Sequence, residues 1–133
     1  RYTKLLILNN FTENTYYLND YINLDLVWNT GIGFGLFSSN SEIIYNLTSL
    51  LIVIVIVFLT YFLIGSEKYE KVIYSIILGG ALGNFYDRIL FKAVPDFIDL
   101  HYKNFHWFTF NLADIFITCG IIAFLLRGFY IKN

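Results

Sequence analysis

Four aspartates stand where a chain this apolar should hold few charges. Asp87 and Asp114 lie inside long apolar runs, and Asp96 and Asp99 lie on the stretch between those runs. Burying an ionisable group in hydrocarbon costs at least a few kcal/mol, so each such carboxylate is a functional candidate by default. Asp114 is the hardest to explain as structure, because no Lys or Arg lies within a helical turn of it. The cheapest way to hold it is beside a second carboxylate that shares a proton, which splits the pair's titration into a low and a high value. Asp96 is the natural companion. Pro95 disfavours helix at Val94, so the chain should leave the preceding helix there and turn Asp96 back toward the mouth of a bundle. Such a pair can hydrolyse an amide: the ionised carboxylate takes a proton from water, while the protonated one hydrogen-bonds the scissile carbonyl and later protonates the leaving nitrogen. The same two groups could instead relay protons in a carrier or small channel subunit, or serve only as structure within a membrane complex.

Other polar residues share these helices. Asn84, Asp87 and Arg88 fall at i, i+3 and i+4 on one face, and Asn111, Asp114 and Thr118 at i, i+3 and i+7 on another. The plain reading is interhelical glue, with Asp87 paired to Arg88 or a lysine and Asn84 and Asn111 bonded across the interface. Asp99, His101 and His106 follow Asp96 closely and keep a metal site conceivable, but their spacing matches no familiar metal motif; the two histidines read as hydrogen-bonded surface residues, and neither metal nor cofactor is expected. Cys119 has no basic neighbour to lower its pKa and no second cysteine with which to form a disulfide.

The elements that must position these groups are membrane helices. Of 133 residues, 57% are hydrophobic and 14% charged, against about 25% charged in an ordinary soluble domain. No charge interrupts the chain between Glu42 and Glu67, and Leu47 to Ile64 is almost wholly aliphatic and aromatic. About 20 such residues span the ~30 Å hydrocarbon slab. Spans are expected at 43–65, 72–91 and 108–128, the first opened by a Ser39 to Glu42 capping arrangement, and the second offering Gly79, Gly80 and Gly83 as a close-approach surface. Residues 1–45 read as an extramembrane loop region with a β-like piece at Asn23 to Trp28, and 92–107 as an aromatic-rich interfacial loop. These two pieces share one side of the membrane. Nine Lys plus Arg against ten Asp plus Glu, with no basic cluster, argues against nucleic acid. Basic residues tie across the two sides, Arg1, Lys4, Lys92 and Lys103 against Lys68, Lys71, Arg127 and Lys132, so charge alone does not orient the chain.

Four blocks, NTGIGFGLF (Asn29 to Phe37), GGALGNFYDR (Gly79 to Arg88), VPDFID (Val94 to Asp99) and FNLADIFITCG (Phe110 to Gly120), resemble in order and spacing the signature blocks of the lipoprotein signal peptidases, the bacterial signal peptidase II family. The resemblance covers roughly residues 29 to 126. It implies an all-α membrane bundle with a small periplasmic β-like element, and a metal-independent aspartic endopeptidase. The implied substrate is a bacterial prolipoprotein, cleaved just before a diacylglyceryl-modified cysteine at the periplasmic face of the inner membrane, its acyl chains entering sideways from membrane lipid. Carried over by motif, Asp96 and Asp114 are the catalytic pair, and Asn29, Asn84, Asp87, Arg88 and Asn111 the supporting and substrate-contacting shell, with Asp87 as a positioning partner for Arg88. Two positions depart from the family pattern: Gly33 stands where Ala is common and Pro95 where Val is usual. The family has four spans, the first ending in an Asp-x-x-x-Lys block. Thr3 and Lys4 stand as the tail of that block, and the first span is expected upstream of Arg1.

Overall fold

The computed structural model describes residues 1–10, 15–31 and 41–131. Along the chain run α1 (Tyr2–Asn10), β1 (Tyr16–Asn19), β2 (Ile22–Asn29), α2 (Glu42–Gly65), α3 (Lys68–Phe91), β3 (Val94–Tyr102), β4 (Phe105–Phe110) and α4 (Leu112–Ile131). The fold is mostly helical with one small antiparallel sheet.

The β-branched residues of α2 would favour a strand in water. In hydrocarbon only a helix or a closed barrel satisfies every backbone group, and helix wins. Both α2 and α4 are long and apolar enough to cross a membrane, and only 6% and 11% of their most apolar stretches are buried within the protein. α3 has the same 24-residue length as α2. Length alone would let it span, but Lys68, Glu70, Lys71, Asp87 and Arg88 give it charged ends; length and composition together therefore mark two spans, α2 and α4, rather than the three expected. Only Ser66 and Glu67 separate α2 from α3, and α3 packs against both α2 and α4.

Several boundaries differ from the sequence expectation. α2 is capped by Ser41, whose side chain makes no capping hydrogen bond; its carbonyl accepts from the Tyr45 N–H at 3.0 Å. Ser39, Gly33 and the rest of the Asn29 block beyond Gly31 lie outside the described residues. Residues 1–45 contain a helix, α1, as well as strands β1 and β2. The segment 92–107 is no loop: it holds β3 and the first half of β4, and α4 starts at Leu112 rather than 108. β3 hid from pattern reading because its first four residues are all buried, so it lacks the in–out alternation of a half-wet strand.

The sheet runs β1-β2-β3-β4, all antiparallel. α3 ends at Phe91 and is capped by Lys92, which adopts the left-handed conformation (φ 55°), so the helix has stopped before Pro95 is reached. Pro95 then sits in β3 opposite Trp28. β4 pairs with β3 only from Ile98 onward, so the missing N–H of Pro95 costs the sheet nothing on that side.

The interior is inverted relative to a soluble protein. Buried apolar residues among those described are few (Ile7, Ile77, Ala93, Val94, Phe97), whereas Lys4, Asn29, Asp87, Arg88, Asp96, Asn111 and Asp114 are all buried. The apolar side chains of α2 and α4 point outward instead, as a lipid solvent requires.

Candidate active site

Strand geometry brings the first two polar groups together. In the β2–β3 pair Val27 lies opposite Asp96 and Asn29 opposite Val94, which makes Asn29 and Asp96 diagonal neighbours on one face. Asn29 Nδ2 donates to Asp96 Oδ2 at 2.8 Å. The other carboxylate oxygen, Oδ1, accepts from Asn111 Nδ2 at 2.6 Å. Asp96 is only 1% exposed.

Asp114 is placed by the start of α4. Asn111 is the cap residue: its Oδ1 accepts from the Ala113 N–H at 2.7 Å, and Asp114 Oδ2 accepts from the Asn111 N–H at 3.0 Å. This is the reciprocal capping arrangement, with Asn and Asp in the two roles. It consumes helix-end N–H groups that would otherwise be unpaired in an apolar setting. Asn111, fully buried, thus binds Asp96 by its side chain and Asp114 by its backbone. Both carboxylates meet on one residue.

The second oxygen of Asp114 accepts from Asn84 Nδ2 at 2.8 Å. Asn84 Oδ1 in turn accepts from Lys4 Nζ at 2.6 Å, and Lys4 also donates to Asp87 Oδ2 at 2.8 Å. Asp87 is therefore the ion-pair partner of Lys4, not of the adjacent Arg88. In the sequence Lys4 stands out only as the tail of a family block and as one of eight basic residues in the orientation count. Its role was missed because its partners lie 80 and 83 positions away.

Arg88 points the other way. Nη1 donates to the Thr30 carbonyl at 2.9 Å, and Nη2 donates to the Gly31 carbonyl. Asn29 Oδ1 accepts from the Gly31 N–H at 2.8 Å, so Arg88 holds the segment that aims Asn29 at Asp96. Tyr45 donates to the Arg88 carbonyl at 3.0 Å, and Trp28 packs against Phe91, ring centroids 5.5 Å apart; α2, α3 and β2 are locked around this corner.

Burial pushes the Asp96 carboxyl up to about 6, with the charge of Asp114 adding to the shift. Hydrogen bonds from Asn111 and Asn29 and the charge of Lys4 oppose it. A group poised there is able to hold or release a proton near neutral pH, the condition for acid/base work.

The seven residues expected as catalytic pair and supporting shell, Asn29, Asn84, Asp87, Arg88, Asp96, Asn111 and Asp114, fall within this one connected network. Asp99 does not: three residues beyond Asp96 in a regular strand, it faces the opposite side, beside His106. Cys119 is exposed on α4. Gly79 and Gly83 are not the close-approach points expected: an added Cβ at either meets nothing within 4 Å among the described residues. It is Gly80, against the Ala113 carbonyl and Ile117, and Gly120, against Ile77, that let α3 and α4 touch.

Comparison with known proteins places this geometry in context. The family described as signal peptidase (SPase) II matches residues 1–130. The lipoprotein signal peptidase of Pelagibacter ubique (strain HTCC1062) is 45% identical over 136 residues, covering 100% of this chain and 82% of that protein. That of Anaplasma phagocytophilum (strain HZ) is 47% identical over 109 residues, covering 80% and 68%. Among solved structures, a bacterial membrane enzyme determined by the in meso method at 2.3 Å resolution superposes with a TM-score of 0.80 at 26% identity, covering 99% of this chain and 81% of that one.

Proposed function

This chain belongs to the signal peptidase II family and is a membrane protease, and from that premise we propose that it cleaves prolipoprotein signal peptides by an aspartic mechanism centred on Asp96 and Asp114. One observation carries the reading: two buried carboxylates from different elements, β3 and α4, converge on Asn111.

In the proposed reaction, one carboxylate is ionised and draws a proton from a water molecule, which attacks the scissile carbonyl carbon. The other is protonated and hydrogen-bonds the carbonyl oxygen as negative charge develops there. Collapse of the tetrahedral intermediate breaks the C–N bond, with a proton delivered to the departing nitrogen. Asn29 and Asn111 hold Asp96 in one rotamer, and Asn84 does the same for Asp114. The buried ammonium of Lys4 stabilises negative charge in the pair. Arg88 and Asp87 act as positioning residues, each through a neighbour.

The substrate is a prolipoprotein, cut before its diacylglyceryl-modified cysteine, in the inner membrane and near its periplasmic face. Outward-facing apolar side chains on α2 and α4 support an approach of the acyl chains from lipid. The relatives named above are peptidases, and nothing in them favours the proton-coupled carrier.

The test is cleavage of a diacylglyceryl-modified precursor by purified Asp96→Asn and Asp114→Asn variants, with thermal unfolding measured alongside. Each variant should stay folded and lose cleavage by a factor of at least about a hundred, the usual worth of an acid/base group. Full activity in both sinks the aspartic reading.

A further inference from the structure

The β3–β4 hairpin carries a second group of chemistry-bearing side chains, apart from the carboxylate pair. Asp99 and His101 stand two residues apart on one face of β3, and His101 lies opposite His106 of β4. Their ligand atoms all fall within 4.8 Å of one another. The two imidazoles stack with centroids 5.4 Å apart, and Asp99 Oδ2 lies 2.7 Å from His106 Nδ1 and 3.6 Å from His101 Nδ1.

One atom here is unaccounted for. His101 Nδ1 is buried and has no hydrogen-bond partner among the described residues, on a residue only 5% exposed. A buried ring nitrogen left bare costs free energy, and this one faces the shared carboxylate oxygen at a distance too long for a hydrogen bond. We propose that Asp99, His101 and His106 form a binding site for a divalent transition-metal ion of the zinc class.

The donor set fits that class. Two imidazoles and one carboxylate suit Zn²⁺ and its neighbours, whereas Ca²⁺ and Mg²⁺ select oxygen ligands. With metal–ligand distances of about 2.0–2.2 Å, tetrahedral donors stand about 3.4 Å apart. The 3.6 Å contact is already near this spacing, and the 2.7 Å contact opens to it by rotation of His106, whose side chain is 57% exposed. That exposure also supplies an entry path and leaves the fourth position to water. The ion would clip β3 to β4, stiffening the hairpin that carries Asp96 and leads into Asn111. It takes no part in the hydrolysis proposed above, so the two readings stand or fall separately.

Cobalt(II) is the probe, because its visible absorption reports both occupancy and coordination. The full chain, purified in detergent without a histidine tag and stripped of metal, should take up one Co²⁺ with the intense band of a four-coordinate site, and Zn²⁺ should displace it. His106→Ala, at an exposed position, and His101→Gln should each weaken binding at least about tenfold, and Asp114→Asn should leave it unchanged. Zn²⁺ should raise the melting temperature of the parent chain and not that of His106→Ala. Should His101→Gln fail to fold, His106→Ala decides alone. No uptake, uptake indifferent to His106→Ala, or uptake lost in Asp114→Asn each overturns the site.

Discussion

Lys4 and Asp87 form a buried ion pair, Nζ to Oδ2 at 2.8 Å, that ties α1 to α3 across 83 positions of sequence. Both side chains are 3% exposed, so the pair is not a surface contact of negligible worth. From Lys4 the chain of hydrogen bonds runs through the Asn84 amide to Asp114, making the first described helix part of the site's scaffold.

Lys4→Met removes the ammonium and leaves Asp87 as an unpaired buried charge, a loss of about 3–5 kcal/mol. Lys4→Met combined with Asp87→Leu removes both charges and should recover most of that stability. Thermal unfolding in detergent reads both. A double variant no more stable than the single one would show that the pair is not what holds α1 to α3.

Asn111 does two separable things. Asn111→Ala loses the cap, about 1 kcal/mol, and the hydrogen bond to Asp96, whereas Asn111→Ser keeps a capping oxygen and loses only the reach to Asp96. Both variants should therefore be slow in cleaving a lipidated precursor, but only the alanine variant should melt markedly lower. Equal melting temperatures would refute the capping role, and full activity in Asn111→Ser would refute the contact with Asp96.

The raised pKa of Asp96 has a definite sign in stability. Its carboxyl sits at about 6 against an ordinary 3.8, so between those values the folded chain keeps a proton that the unfolded chain has released. Stability from this group is present below about pH 4 and is lost as pH rises through 6. Asp114 from α4 adds to the shift and Lys4 from α1 opposes it, as do the hydrogen bonds from Asn111 and Asn29. Asp96→Asn has no such proton. Its stability relative to the parent should climb between pH 4 and 7, by at most about 3 kcal/mol at 1.36 kcal/mol per unit. Parallel melting curves across that window would remove the assignment.

The α3–α4 contact gives a packing prediction. A Cβ on Gly80 would lie 2.7 Å from both the Ala113 carbonyl oxygen and Ile117 Cγ1, but on Gly83 it meets nothing within 4 Å. Gly80→Ala should cost about 1–3 kcal/mol and, by displacing the backbone beside Asp114, reduce cleavage. Gly83→Ala should be neutral or slightly stabilising in the helix. Unfolding and activity of the two variants decide it, and equal behaviour would argue against the close approach.

Much of the site could be read from the chain alone, for reasons that are local. A bilayer penalises any unpartnered carboxylate buried in it, so Asp114, and Asp96 just beyond the second apolar run, declared themselves by standing where few charges can stay. The apolar runs of α2 and α4 are also a local property, one of length and composition; the spacing of Asn111 and Asp114 is local too, but by itself it reads as one face of a helix, and it becomes a cap only because α4 starts at Leu112.

What only the tertiary structure decided is how these groups are held. The first four residues of β3 are buried on both sides and so show no alternation, and its pairing with β2, which sets Asn29 beside Asp96, joins segments more than sixty residues apart. Arg88 binds backbone carbonyls, which carry no side-chain signature, and Gly80 rather than Gly83 is revealed as the contact only once α4 lies against α3. Lys4 is the clearest case: nothing near it in sequence needs a cation. Hydrophobic burial is written residue by residue, whereas a polar network in a membrane exists only when distant residues meet, because each member is tolerable there only through its partners.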